Sequence, residues 1–396
     1  MTAAPSTTPV LPTFAFQWHV TDECDQRCKH CYIFAEGACT KLRSMSLPDM
    51  RRTLDNIEAM CRTLGRAPYI YLTGGDPILH PDFWALAELL HERGHRWAIM
   101  GNPFHLTPEV CARMRALGCR KYQVSLDGLA ATHDRFRKPG SFDATIEAIR
   151  AIRASGMWCA VMSTVSSANM AEIPELIDLM AKLEVDVYAF GRYCPTSGQR
   201  AEEYRMEPLA YRDFLLECQR RILAYEAAGC RTTFQRKDHL WTLLEYEQGR
   251  FKIPAGTRPG MVYGGCHCGI AHLTITPAGD VYACRRMESR VGNCLEEPLL
   301  DIFLGAKMEE RRDFARFEKC AHCELAGFCR GCPAVAAGAS GGNMYAADPQ
   351  CWKQVDMDAP NQFAKSSRNS LRGDDSPSKA VPVHSKQTEK PQEVAA

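Results

Sequence analysis

The 396-residue chain has almost no net charge: 48 Lys and Arg stand against 47 Asp and Glu, leaving a formal +1. So weak a field steers the chain to neither nucleic acid nor an anionic membrane, and any partner must be recognised by local chemistry. Long apolar runs are missing as well. No stretch reaches 18 apolar residues without a charge, and the opening MTAAPSTTPVLPT has neither the basic region nor the apolar core of an export signal. The expectation is a cytoplasmic protein that does not enter a membrane. From Lys365 to Ala396 there is no aromatic residue among the Ser, Lys, Pro and acidic side chains, so this segment cannot build a core and reads as disordered. Cysteine, by contrast, is plentiful. Twenty cysteines in a reducing compartment point to metal or redox chemistry rather than to structural disulfides.

With 45% hydrophobic residues the chain can fill one barrel-sized core and a smaller second one. From Phe14 to Gly191 short apolar runs alternate with amphipathic stretches, the rhythm of parallel strands joined by right-handed crossovers. Strands are predicted at Phe14 to Val20, Tyr69 to Thr73, Trp97 to Gly101, Tyr122 to Leu126, Cys159 to Val165 and Val185 to Phe190. Helices are predicted at Met50 to Leu64, Phe83 to Arg93, Pro108 to Leu117, Phe142 to Ser155 and Ile173 to Leu183. The fold class is α/β: a partial (β/α)6 TIM-like barrel followed by a small Cys-rich domain. Two consecutive helices, Leu209 to Ala228 and Asp238 to Gln248, then lead into the linker FKIPAGTRPG. Tyr263 to Trp352 holds eleven Gly and nine Cys in 90 residues, with a hairpin turning at Pro277 to Asp280 and a helix from Leu299 to about Phe314. So small a domain needs staples. The divisions are 1–13, a flexible N-terminus; 14–206, the barrel; 207–262, bridging helices and linker; 263–356, the Cys-rich domain; and 357–396, a disordered tail.

The stretch TDECDQRCKHCYIF places Cys24, Cys28 and Cys31 at spacings of three and two, followed by Tyr32. At this cysteine frequency the pattern arises by chance about 0.05 times in a chain of this length. A structural zinc ion wants four ligands, and His30, adjacent to Cys31, is poorly placed to share the same ion. A four-iron cluster tolerates three thiolates and leaves one iron open. Zinc and unliganded thiols remain the alternatives at this point. The loop follows the first strand, where β/α barrels carry their active face.

Cys24, Cys28, Cys31 and Tyr32 together resemble the signature of radical S-adenosylmethionine (SAM) enzymes. The resemblance implies that the methionine amine and carboxylate of SAM chelate the open iron. It further implies that an electron from the reduced cluster splits the sulfonium, giving a 5′-deoxyadenosyl radical that abstracts hydrogen from substrate. Tyr32 would lie near the adenine. YLTGGDP, at the second strand end, resembles the GGEP segment that binds the methionine amine, which assigns Gly74, Gly75 and Asp76 to the cofactor, with Asp in place of Glu. At the fourth strand end Ser125, Asp127 and Arg137 resemble positions flanking the cofactor ribose and carboxylate; Ser125 and Arg137 are taken as cofactor residues. Asp127–Gly128 also reads as a turn, and His133 and Asp134 as caps of the next helical segment. MGNPF at the third strand end stands where many relatives carry a TNG-like segment, a departure that would still have Asn102 face the pocket.

KCAHCELAGFCRGC adds Cys320, Cys323, Cys329 and Cys332 at spacings of two, five and two, with Cys351 beyond a glycine-rich loop. Upstream, Cys268 precedes Gly279, which is followed after four residues by Cys284. These resemble the SPASM extension, which holds auxiliary iron–sulfur clusters in peptide-modifying enzymes. By that resemblance Cys320, Cys323, Cys329 and Cys351 hold one [4Fe-4S] cluster, and Cys266, Cys268, Cys284 and Cys332 the other. Cys294, or an open iron, is the alternative to Cys266. The pattern departs from the family where only Arg330 and Gly331 separate Cys329 from Cys332. Cys39, Cys61, Cys111, Cys119, Cys159, Cys194, Cys218 and Cys230 read as core or surface, with Cys39 and Cys194 as candidate pocket thiols.

The resemblance implies an oxidoreductase that modifies a ribosomally made peptide. Auxiliary clusters would accept the electron left by oxidative coupling or ligate a substrate side chain. Sulfatase-maturing members carry an acidic residue next to the Gly-x4-Cys ligand; Arg285 stands there, which turns the expectation from formylglycine to cross-linking, thioether or carbon–carbon. The sequence singles out no catalytic acid or base. Expected partners are a precursor peptide and an external reductant such as flavodoxin or ferredoxin. With about 13 residues before the first strand, a leader would be bound by the barrel surface, the bridging helices, the second domain or a separate protein. A zinc-binding adaptor and an electron-transfer protein are the non-catalytic alternatives.

Overall fold

The computed structural model describes residues 11–34, 41–195 and 204–364. Cys39, most of the N-terminal segment, the last part of the barrel span and residues 365–396 of the tail lie outside the described residues. Strands β1 (Thr13–Thr21), β2 (Ala67–Gly74), β3 (Trp97–Met100), β4 (Cys119–Ser125), β5 (Trp158–Val165) and β6 (Val187–Arg192) lie parallel in chain order. Between them run α1 (Leu47–Thr63), α2 (Phe83–Glu92), α3 (Pro108–Ala116), α4 (Ala130–Phe136), α5 (Ser141–Ala154) and α6 (Ile173–Lys182). Strand alternation sets the two faces. Phe14, Phe16, Trp18 and Val20 of β1 are buried under the helices, while Ala15 and Gln17 look into the lumen half-buried. Helix starts follow local chemistry: Ser46 Oγ accepts the Asp49 N–H (3.3 Å) ahead of α1, and Thr107 Oγ1 accepts that of Val110 (3.3 Å) ahead of α3.

The barrel sheet does not end at six strands. The expected pair of consecutive helices is α7 (Pro208–Ala227) and α8 (Leu240–Glu247), but β7 (Thr233–Gln235) sits between them and pairs parallel to β6. At the other edge, β8 (His272–Ile275) lies parallel to β1, with Ala15 opposite His272 and Trp18 opposite Ile275. The expected hairpin is β8 with β9 (Asp280–Tyr282), and β10 (Arg290–Asn293) extends it. The result is one open ten-stranded sheet, β10-β9-β8-β1-β2-β3-β4-β5-β6-β7. The boundaries at 207 and 263 therefore cut through a continuous sheet. These strands are three or four residues long, too short to show a period.

Three further expectations are corrected. The helix from Leu299 to about Phe314 is broken into α9 (Leu299–Leu304) and α10 (Ala306–Arg311), because Gly305 between them takes extended backbone (φ −76°, ψ 161°) and caps both. Residues 357–364, assigned to the disordered tail, are packed: Gln362 N–H donates to Ala321 O (2.7 Å), and Phe363 is buried. Residues 11–13, assigned to the flexible N-terminus, already hold the Ala67 N–H through Pro12 O (3.0 Å). The last helix, α11 (Pro333–Ala339), starts directly at Cys332. No helix among the described residues is long and apolar enough to cross a membrane.

Candidate functional site

The cysteine loop after β1 is clamped by the end of β2. A Cβ on Gly74 would lie 2.0 Å from the Thr21 carbonyl oxygen, and one on Gly75 2.0 Å from that of Glu23. Gly74 also takes φ +135°, a conformation open to glycine. With nothing in the way, Gly75 N–H donates to Thr21 O (2.8 Å) and Asp76 N–H to Glu23 O (2.7 Å). Both glycines thus hold the base of the cysteine loop.

Asp76 is fully buried, and its carboxylate has no side-chain donor or counter-charge, only the nearby backbone N–H groups of Asn102 and Ile78. Burial pushes its pKa up to about 7, the Asp25 charge adds to the rise, and the two backbone groups oppose it. A buried carboxylate without a counter-charge is rare. It is the arrangement an incoming ammonium satisfies, so the residues fit the methionine amine of SAM. Gly101 keeps this space open: a Cβ there would come within 2.4 Å of the Tyr122 hydroxyl and 2.8 Å of Asp76 Oδ1. Asn102 faces the cysteine loop as expected, its Nδ2 donating to Cys24 Sγ (3.2 Å) and Asp25 Oδ1 (2.5 Å).

The far side of the loop is held by charge. Arg137 Nε donates to Asp127 Oδ2 (2.6 Å), its Nη1 lies 3.7 Å from Cys28 Sγ, and His30 Nε2 stands 3.3 Å from the same Asp127 oxygen. Burial alone would raise the Asp127 pKa, but the Arg137 and His30 charges hold it well below the carboxylate range. Burial lifts the Cys28 thiol to about 11, opposed by Arg137. A metal ligand must be thiolate, so Arg137 works in that direction. Asp134 is a cap, accepting the Gly140 (2.6 Å) and Phe142 (2.8 Å) N–H groups, and His133 Nδ1 accepts the Asp127 N–H (3.1 Å). Ser125 closes β4 half-buried on the same edge.

A second cysteine group faces this one across the lumen. The Arg285 guanidinium lies 5.2 Å from the Tyr32 ring centroid, so the residues following Cys31 and Cys284 meet. Cys266, Cys268, Cys284 and Cys332 line one pocket with Arg286, Phe317 and other side chains. The third group, Cys320, Cys323, Cys329 and Cys351, is mostly buried one loop away. The short Cys329–Cys332 spacing is closed by Gly331 at φ +61°, where a Cβ would press on Asp348 at 2.6 Å. Among the described residues the one set of three or more ligand atoms within 4.8 Å of one another is Asp25, Asp76 and His105, and it includes no thiol. Four cysteines on one pocket are a donor set that a four-iron cluster can use.

One expectation changes. Cys294 is away from the pocket, its Sγ 3.8 Å from Thr53 Oγ1 on α1 and its carbonyl accepting from Asn56 (3.0 Å), so it is not an alternative to Cys266. Cys194, read as core or surface and as a candidate pocket thiol, is buried beside Cys284 and Cys332. Sequence reasoning missed the joint beneath them. Arg192, at the end of β6, is fully buried and binds Asp238 (2.8 Å), Asp348 (2.5 and 2.8 Å) and Gln350 (2.9 Å). Asp348 also accepts the Cys332 N–H (2.8 Å). Arg330, buried beside the shortened spacing, donates to the carbonyls of Ala326 (2.9 Å), Gly264 (2.9 Å) and Cys266 (3.2 Å).

Residues 18–188 match the family model of the radical SAM superfamily, and residues 266–324 that of the SPASM iron–sulfur cluster-binding domain. An AdoMet-dependent heme synthase of Methanosarcina barkeri (strain Fusaro / DSM 804) is 28% identical over 84% of this chain and 95% of its own. The mycofactocin maturase MftC of Mycolicibacterium smegmatis is 27% identical over 84% of this chain and 81% of its own. Streptococcus suis SuiB bound to S-adenosylmethionine, 17% identical, has the same fold with a TM-score of 0.66 over 86% of this chain and 78% of its own. The two matched regions fall on the barrel and on the Cys-rich segment in turn, so the chain carries a radical SAM domain and a SPASM domain.

Proposed function

We propose that the chain cleaves SAM reductively and uses the resulting radical to modify a ribosomally made peptide by oxidative cross-linking, through a thioether or a carbon–carbon bond. Radical SAM enzymes use SAM and a [4Fe-4S] cluster and need a reductant, and SPASM domains bind auxiliary iron–sulfur clusters. In this reading Cys24, Cys28 and Cys31 hold the SAM cluster, Asp76 receives the SAM ammonium, and Tyr32, Gly74, Gly75, Ser125 and Arg137 surround the cofactor. Cys320, Cys323, Cys329 and Cys351 hold one auxiliary cluster, and the pocket thiols the other. Bound there, the cofactors supply a primary carbon radical able to take a hydrogen atom from an unactivated position. The chain's own part is to place substrate and keep water out of the lumen.

The observation that carries the reading is the contact of Arg285 with Tyr32, which brings together the residues that follow Cys284 and Cys31. A substrate there reaches both. The named maturase among the relatives, and the fold shared with SuiB, which has been solved with its precursor peptide SuiA, support a peptide. A flavodoxin or ferredoxin would serve as reductant, and a separate leader-binding protein as a further partner.

One observation favours a second reading, a tetrapyrrole substrate in keeping with the heme synthase relative. No strand from β1 to β8 contains Asp or Glu. Instead Lys121 lies over Tyr71 (4.9 Å to the ring), and Lys237, although its side chain is solvent-exposed, is pushed down to about 8 by desolvation among the surrounding residues and by the Arg286 and Lys121 charges. Such a lumen suits a carboxylate-rich substrate. Anaerobic reconstitution with reductant, SAM and either a precursor peptide or an iron porphyrin separates the two. Peptide mass falling by two hydrogens, with 5′-deoxyadenosine formed, supports the first reading. A mass change confined to the porphyrin supports the second, and absence of 5′-deoxyadenosine from both sinks the enzymatic reading.

A further inference from the structure

Where the SAM cysteine loop meets the first auxiliary group (Cys266, Cys268, Cys284 and Cys332) stands a guanidinium that no side chain satisfies. The Arg285 Cζ lies 5.2 Å from the centroid of the Tyr32 ring and 5.3 Å from that of Tyr282, so two aromatic rings hold it in place. That attraction acts on the charge and leaves the N–H groups able to donate. Arg285 Nε is buried without a hydrogen-bond partner, and among the described residues the side chain makes no ion pair. Its charge reaches Asp22, but that carboxylate lies beyond ion-pair distance and accepts the Arg43 N–H (3.2 Å).

His19 packs on the same tyrosine, with ring centroids 6.1 Å apart. It continues the alternation of Ala15 and Gln17 along β1 and stands opposite Thr73 of β2, so it points to the lumen just below the cysteine loop. It is 1% exposed, and its Nε2 is a second buried polar atom without a partner. Burial and the Arg285 and His272 charges hold its pKa well below the ordinary value, so at neutral pH the imidazole is uncharged and offers one N–H.

Two orphaned donors beside one ring, one of them a permanent cation, form a site that an anion completes. The barrel supplies none, since β1 to β8 carry no Asp or Glu. A carboxylate is the planar anion whose two oxygens match the guanidinium fork. We propose that Arg285 and His19 bind a carboxylate of the substrate beside Tyr32, and that the enzyme thereby selects substrates with a free carboxylate close to the reacting position. The assignment rests on the enzymatic reading above and narrows both of its forms: a peptide offers Asp, Glu or its C-terminus, and a tetrapyrrole its acidic side chains.

The test measures binding to the anaerobically reconstituted full chain for two pairs of probes. One pair is a precursor peptide and the same peptide with Asp and Glu changed to Asn and Gln and its C-terminus amidated. The other is an iron porphyrin with free carboxylate side chains and its methyl ester. Wild type is expected to bind one free acid better than its neutral form, and the pair that shows the preference identifies the source of the carboxylate. Arg285→Gln is expected to cut the acid-to-neutral ratio by about 10- to 150-fold, the worth of one charge-assisted hydrogen bond, and His19→Phe by about 2- to 12-fold, the worth of a neutral one. Arg285→Lys, which keeps the charge but not the fork, is expected to recover part of the ratio. A purely structural role would weaken acid and neutral forms alike, so an unchanged ratio in Arg285→Gln would overturn the proposal. So would a wild type that forms 5′-deoxyadenosine yet prefers neither acid. Absence of 5′-deoxyadenosine with every probe would instead overturn the enzymatic reading on which the proposal rests.

Discussion

Replacing Arg192 by Met keeps a long side chain in place while removing its guanidinium from between Asp238 and Asp348, whose side chains are 4% and 1% exposed. Four hydrogen bonds from Arg192 disappear: one to Asp238, two to Asp348 and one to Gln350. Stripping one partner from a buried ion pair costs about 3–5 kcal/mol, because a carboxylate is left without its counter-charge. Both carboxylates keep backbone donors, Leu240 N–H (3.0 Å) for Asp238 and Cys332 N–H (2.8 Å) for Asp348, so the lower half of that range applies. With an unfolding entropy of about 0.8 kcal/mol per kelvin for a chain this long, the melting temperature should fall by about 4–5 °C. The pH dependence gives a second check. Burial would raise the Asp238 pKa, but Arg192 holds it below its ordinary value, so this pair's contribution is present above the unfolded carboxylate pKa and lost as pH falls through the folded one. The deficit of Arg192→Met should therefore shrink toward acid pH. Adding Asp238→Asn and Asp348→Asn should recover part of the loss at neutral pH. Calorimetry of the reconstituted protein decides: a melting temperature within 1 °C of wild type at pH 7, or no recovery in the triple variant, would refute the reasoning.

Asp76→Asn keeps the shape but removes the charge offered to an ammonium, and SAM affinity should fall by about 10- to 150-fold, the worth of one charge-assisted hydrogen bond; equilibrium binding to reconstituted protein measures it. Because the folded Asp76 pKa is raised to about 7, wild-type affinity should weaken as pH drops below that value, and the Asn variant should lack this dependence. The ligand-free wild type should also lose stability as pH rises from the ordinary carboxylate range to about 7, a loss that Asp76→Asn removes. Gly75→Ala places a methyl 2.0 Å from the Glu23 carbonyl oxygen and should displace the cysteine loop, cutting iron at the first site while the auxiliary iron stays; unchanged iron would refute the clamp. Cys28→Ala should abolish 5′-deoxyadenosine formation by chromatography, and persistence of the product would remove Cys28 from the cluster.

Much of the barrel was legible from spacing. The six parallel strands from β1 to β6 were readable to within about three residues because each buries a β-branched or aromatic run against its helices. Three cysteines in eight residues, or four in thirteen, carry their chemistry in local pattern alone. Arg192 was not legible, since its partner Asp348 lies more than 150 residues away in sequence and no periodicity marks it, and Cys194 was legible only as a candidate pocket thiol, not as a neighbour of Cys332. The roles of Gly74, Gly75 and Gly331 were half legible. The residue type signalled a close approach, but which backbone or carboxylate approached emerged only from the fold. Cys294 misled for the opposite reason, a cysteine near the right motif but turned into the core against α1.

The pairing of β8 with β1 has a mechanical meaning. The strand that leads from the first auxiliary cysteines is hydrogen-bonded, residue against residue, to the strand that ends at the SAM cysteine loop. The two sets of thiols are therefore spaced as marks on one ruler rather than as parts of two bodies that dock. Hinge motion between barrel and SPASM domain would have to tear that ladder. A chimera that exchanges the SPASM domain between relatives should work only where β1 is exchanged with it.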